Sequence, residues 1–160
     1  MSYDFRIEAA DKATLYKDLA LALEGLVAGE TDAVANMANA AALIFETLPE
    51  VNWAGFYRNV GGELVLGPFQ GRPACIRIKF GEGVCGAAAA TRQVQRVEDV
   101  HAFPGHIACD SASNSEIVLP LVRDGELLGV LDIDSPSTGR FTEEDEAGLR
   151  PIAELLSKVL

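Results

Sequence analysis

Three cysteines and three carboxylates are the side chains of this 160-residue chain whose surroundings suit chemistry. Cys109 lies in the polar stretch His106-Ile107-Ala108-Cys109-Asp110-Ser111, where a cysteine is expected to be a reactive thiol rather than packing filler. Cys85, in the small-residue run Gly83-Val84-Cys85-Gly86-Ala87, reads first as an ordinary buried thiol. Cys75 follows Pro73-Ala74 at the mouth of a strand, and no Cys-x-x-Cys pair is present. Metal ligation would need His101, His106 and Cys109 to converge at a spacing that matches no standard site, so no metal is expected.

Asp132 and Asp134 stand at i and i+2, on one face of an otherwise apolar strand. Two carboxylates so placed repel, and they need a cation or a shared proton. Either the strand has ended by Ile133 and both acids are solvated turn residues, or they form an ammonium-binding or proton-donating pair. Glu116 opens the partner strand. Across a two-residue turn at Asp124-Gly125, Arg123 would face Glu126 and Glu116 would face Ile133, on the side opposite the two aspartates. Glu116 joins them only if a bulge intervenes or if it reaches in from a frayed strand start, and an irregularity is expected near Pro120 or the turn, because proline cannot donate to the ladder. On another strand Trp53, Gly55 and Tyr57 share a face, with an indole and a phenol on either side of a gap at Gly55. Such aromatics either cover the sheet or wall a pocket.

The elements that must position these groups follow from periodicity. Residues 12–28 carry Leu15, Leu19, Leu23 and Leu26 at helical spacing, closed by Gly29. A second helix starts behind Thr31 as N-cap, carries Val34, Met37, Ala38, Ala41, Ile44 and Phe45, and stops at Pro49. Strands are expected at 52–58, 63–66 and 76–80, the last alternating Ile76, Ile78 and Phe80 with Arg77 and Lys79. A short Ala-rich helix at 83–91 precedes a strand near 94–97. Residues 99–115 have no periodicity, and a long polar loop inside a compact domain is usually functional. A hairpin of 116–123 and 126–134 follows, then a last helix capped by Thr142 that Pro151 should kink or restart. This order is α+β: an antiparallel sheet with helices on one face and a ligand pocket under loops on the other.

The length fits one domain, residues 1–160, with 1–11 as a loose N-terminal arm. A formal charge of −11 offers no basic footprint for nucleic acid or an anionic membrane. The N-terminus has no apolar signal region, so the chain is expected in the cytoplasm, with its three cysteines reduced at rest. The apolar arc of the first two helices makes a homodimer plausible.

These residues resemble the free methionine-R-sulfoxide reductases, a single-domain branch of the GAF fold, over essentially the whole chain from Tyr16. The resemblance is carried by Asn-Trp-Ala-Gly-Phe-Tyr at 52–57, Leu-Gly-Pro-Phe-Gln-Gly at 66–71, Ala-Cys-Ile-Arg-Ile at 74–78 and Gly-Glu-Gly-Val-Cys-Gly at 81–86. His-Ile-Ala-Cys-Asp at 106–110, Asn-Ser-Glu-Ile-Val at 114–118 and Leu-Asp-Ile-Asp-Ser at 131–135 complete it. It implies that Cys109 attacks the sulfoxide of the free amino acid, that Cys75 resolves the sulfenic acid as a disulfide, and that Cys85 is an auxiliary thiol. It further implies that Glu116, Asp132 and Asp134 bind the ammonium and protonate the oxygen, that Trp53 and Tyr57 wall the S-methyl pocket, that no cofactor is bound, and that thioredoxin is the external reductant. On this reading the Cys109 sulfur faces a closed cavity also lined by Trp53, Glu116 and Asp134. The competing reading is a non-catalytic GAF module that binds a small ligand or senses redox state.

Overall fold

The computed structural model describes residues 11–106 and 112–160. Two helices open the chain. In α1 (Lys12–Val27), Tyr16, Leu19, Leu23 and Val27 recur on one buried face, and the Asp11 side chain caps the first turn by accepting from the Thr14 N–H. Asp11 therefore belongs to the helix rather than to the arm. In α2 (Ala33–Thr47), Asp32, not Thr31, is the N-cap, accepting from the Ala35 N–H. The buried face of α2 is Met37, Ala40, Ala41, Leu43 and Ile44, so Val34 and Ala38 stand outside it, Val34 being 60% exposed. Paired small residues such as Ala40 and Ala41 let the helix lie close on the sheet.

Six antiparallel strands form that sheet in the order β3-β2-β1-β6-β5-β4. They are β1 (Trp53–Val60), β2 (Glu63–Gly71), β3 (Arg77–Lys79), β4 (Gln95–Val97), β5 (Ser115–Arg123) and β6 (Glu126–Ser135). β2 runs five residues past its expected end at Leu66. The pairing with β1 shifts between Gly55 and Tyr57, and the bulge this creates accommodates Gly67 and Pro68, which would otherwise interrupt the ladder. β3 is shorter than expected, and only Ile78 of its apolar residues is buried; Ile76 is 69% exposed.

The sheet separates two apolar clusters. Helices α1, α2 and α4 (Glu143–Val159) cover one face, burying Ala54, Phe56, Ile117, Leu119, Leu131 and Ile133. On the other face lie Trp53, Tyr57, Val118 and Val130, beneath α3 (Gly83–Thr91). The pocket face thus carries a helix as well as loops. Gly86 lets α3 seat against the β3 end, because a Cβ there would run into the Lys79 carbonyl. α4 begins at the Thr142 cap, where Asp145 accepts from the Thr142 backbone N–H at 2.8 Å. The helix continues through Pro151, which sits on its exposed side, with no restart. A single 3₁₀ turn (Val100–Ala102) lies within the loop before β5.

Candidate active site

β6 is the central strand of the site, lying between β1 and β5. Its pairing with β5 starts regularly at Arg123–Glu126, then shifts between Leu121 and Val122, where Leu128 becomes the extra residue. Beyond that bulge Glu116 stands opposite Asp134, and Val118 opposite Asp132. The slip of one residue turns Glu116 out of the helix-packed core and onto the aspartates' face. The irregularity falls between Pro120 and the turn, where the hairpin arithmetic requires it. β1 adds its own parity on the other side of β6, with Trp53 opposite Asp134 and Gly55 opposite Asp132.

A cavity of about 50 Å³ opens here, lined by Trp53, Tyr57, Cys85, Glu116, Asp132 and Asp134. Both aspartates lie within the strand, so the solvated-turn alternative fails. Trp53 and Tyr57 are 2% and 3% exposed and stack on each other at 5.9 Å. The gap expected at Gly55 is filled: Phe69 crosses it and stacks on Trp53 at 5.1 Å, and a Cβ on Gly55 would collide with Phe69. Both aromatic heads are tied down, the Trp53 Nε1–H donating to the Arg72 carbonyl at 3.1 Å and the Tyr57 hydroxyl to the Cys75 carbonyl at 2.9 Å. Tyr57 thereby holds the backbone of Cys75 against the pocket wall.

Cys85 is buried as expected, and it also lines the cavity. Its Sγ donates to Glu116 Oε1 at 3.7 Å, and it is the free thiol among the described cysteines. Burial, then the charges of Asp132, Glu116 and Asp134, push that thiol well above its ordinary value. Burial also raises the Glu116 carboxyl, against hydrogen bonds from its neighbours and the proximity of His106. Asp132 is raised well above the usual carboxylate range by burial and by the adjoining charges of Asp134 and Glu116. Its Oδ1 is buried with no hydrogen-bond partner among the described residues. Among the described residues no lysine or arginine lines the cavity. An acid so placed holds its proton more firmly than an exposed carboxyl does, and the cluster as a whole attracts a cation.

Cys75 is disulfide-bonded, so the structure is not the fully reduced chain expected at rest. Cys109, to which the resemblance gives the attacking thiolate, lies outside the described residues, as does the expectation about its sulfur. Of the metal set His101, His106 and Cys109 only the histidines are described: their rings stand edge to face with centroids 5.9 Å apart, and His101 Nε2 sits 3.0 Å from Asn114 Oδ1. Three further lining residues, Glu82, His106 and Ser113, were not singled out for this pocket from the sequence. Glu82 had a legible signal: it stands between Gly81 and Gly83, both at positive φ, and as N-cap of α3 it makes no side-chain cap bond. Ser113 had none; its hydroxyl accepts from the Asn52 amide at 3.4 Å.

A curled antiparallel sheet with helices on one face and this pocket on the other defines a GAF domain, and the GAF domain family matches residues 29–160. The chain is 59% identical to the free methionine-R-sulfoxide reductase of Escherichia coli over 94% of its own length and 91% of that protein's. It is equally identical, 59%, to Protein YtsP of Bacillus subtilis over 96% of this chain and 95% of that one. Among solved structures, the free methionine-R-sulfoxide reductase of Neisseria meningitidis, in complex with its substrate, superposes with a TM-score of 0.94 at 48% identity, covering 98% of this chain and 95% of the other. The chain belongs to the free methionine-R-sulfoxide reductase family of GAF domains.

Proposed function

We propose that this chain reduces free L-methionine-(R)-S-oxide to methionine. The observation that carries the reading is the buried Glu116–Asp132 pair, facing a tryptophan–tyrosine wall in a cavity that no lysine or arginine among the described residues lines. An amino-acid ammonium supplies the missing cation, and the aromatic wall suits an S-methyl group. With the ammonium bound to part of the cluster, a carboxyl that still holds its proton is the acid for the sulfoxide oxygen.

In the chemical step the Cys109 thiolate attacks the sulfoxide sulfur while the oxygen is protonated. From that adduct the protonated oxygen passes to the Cys109 sulfur as its bond to the substrate sulfur breaks; the electron pair returns to the substrate sulfur, methionine leaves, and Cys109 is left as a sulfenic acid. The Cys75 thiol then condenses with it, forming the disulfide and releasing water, and thioredoxin reduces that bond by exchange. The disulfide-bonded state of Cys75 supports its role as the resolving thiol. Cys85 remains reduced and is an auxiliary thiol. The acids that raise Cys85 would raise Cys109 as well, so the substrate ammonium also serves to make the attacking thiolate competent. Cytoplasmic placement and a homodimer through the outer face of α1 and α2, where Leu21 and Val34 are exposed, complete the proposal.

NADPH consumption coupled through thioredoxin tests it. The chain should turn over free methionine-R-sulfoxide, ignore the S epimer, and be inactive as Cys109→Ser. N-acetylation of the substrate removes the ammonium charge and should lower kcat/KM at least about 100-fold, the scale of one buried charge-assisted contact. Equal turnover of the acetylated compound would sink the ammonium assignment, and no turnover of the free amino acid would sink the function.

A further inference from the structure

We infer that the same pocket takes a thiophilic divalent cation of the zinc class, held by Cys85, Glu116 and Asp132 in competition with the amino-acid ammonium. The argument starts from donor atoms. One oxygen each of Glu116 and Asp132 and the Cys85 sulfur lie within 4.8 Å of one another, and all three residues are buried. The Cys85 Sγ to Glu116 Oε1 separation is 3.7 Å. With metal–sulfur and metal–oxygen bonds of about 2.3 and 2.0 Å, a tetrahedral ion spans about 3.5 Å between those two atoms. Asp132 is the second observation. It is 5% exposed and lines the cavity, and its Oδ1 has no hydrogen-bond partner among the described residues.

The donor set decides the class of ion. Magnesium and calcium take oxygen shells and gain little from a thiol, whereas one sulfur and two carboxylate oxygens suit a borderline ion. Three protein ligands leave the fourth position to water, which the cavity has room for. Binding replaces the S–H bond of Cys85 by a sulfur–metal bond and releases the thiol proton to solvent, together with any proton held between Glu116 and Asp132. No oxidant or reductant is involved. The sequence reading expected no metal because it sought ligands in the histidines around Cys109. Here the set is assembled instead by the β5–β6 bulge and the start of α3.

The test uses the oxidised chain, with Cys75 in its disulfide and one reactive thiol counted per unfolded molecule, so that Cys85 is the available sulfur. Cobalt(II) added to this protein should give a thiolate-to-cobalt charge-transfer band at one equivalent, which zinc then bleaches. The band should be absent in Cys85→Ala, and cobalt affinity should fall at least tenfold in the near-isosteric Asp132→Asn and Glu116→Gln. No band in the unaltered chain, or undiminished affinity in both carboxamide variants, would overturn the inference. L-methionine should raise the apparent Kd for cobalt in proportion to its concentration. The inference rests on the proposed function only in this competition: cobalt bound tightly and indifferent to methionine overturns the shared-site claim and the ammonium placement, while failure of the cobalt band leaves the reductase assay standing.

Discussion

The chain buries carboxylates in two places and treats them in opposite ways. Asp145, in the first turn of α4, is fully buried and accepts from the Lys12 ammonium at 2.7 Å, the Tyr16 hydroxyl at 2.7 Å and Arg140 Nη1 at 3.1 Å. Burial alone would raise its pKa, but the hydrogen bonds from Lys12, the Thr142 backbone, Tyr16 and Arg140 outweigh that and bring it down to about 2. Across the sheet, Glu116 and Asp132 are also buried, beside further anions, and burial drives both upward. The first cluster contains its own cations, supplied by α1 and the segment before α4, and so clamps helices together. The second is left short of positive charge. A buried anion without a counter-ion costs stability, and a pocket that retains one is built for a ligand that brings the cation.

The largest effect should come from breaking the closed cluster. Asp145→Ala strands Arg140 and Lys12 and should cost about 3–5 kcal/mol, the scale for removing one partner of a buried ion pair. Urea unfolding measures it, and KM for the sulfoxide should not move in the molecules that stay folded. A loss under about 1 kcal/mol would erase the distinction between the two clusters. Asp132→Asn attacks the open cluster and should reverse the pattern: turnover falls about 100-fold or more, the range for losing a positioned proton donor or charge partner, while the fold persists. A fully active Asp132→Asn would make that carboxylate incidental.

Why one cluster was partly legible in the sequence and the other not at all is a matter of range. The parity of Trp53, Tyr57, Asp132 and Asp134 is a local property of two strands, and it survives into the structure intact. Glu116 is different. A regular hairpin turns it into the core, and only the extra residue at Leu128 reverses it; the arithmetic could demand a bulge near Pro120 but not choose the strand that bears it. Cys85 is buried as its small-residue run suggested, but such a helix looks the same whether it faces a core or a cavity, so its place on the pocket wall was not legible. Val34 and Ile76 were placed inside by periodicity, yet both are largely exposed among the described residues, which only the tertiary arrangement decides. The Asp145 cluster joins residues more than 120 positions apart, and no sequence spacing announces it.

The smallest effect sharpens the comparison most, because the two clusters should respond to pH with opposite signs. Asp145 ionises more readily folded than unfolded, so its contribution is present above pH 3.8 and is lost as the pH falls through about 2. On the value of a pKa unit that contribution is about 2 kcal/mol. Asp132 is held above its ordinary 3.8, so the folded chain keeps a proton that the unfolded chain releases. Its contribution is therefore full below pH 3.8 and drains away as the pH rises through its folded value. Asp132→Asn removes that loss without removing volume. The variant should match the parent at pH 4 and exceed it at pH 8 by on the order of 1 kcal/mol, an ordinary size for a single substitution but of the unusual sign. Paired urea titrations at the two pH values measure the difference. If the variant is the less stable at pH 8, Asp132 is already paired with a cation in the free protein, and the open cluster is not open.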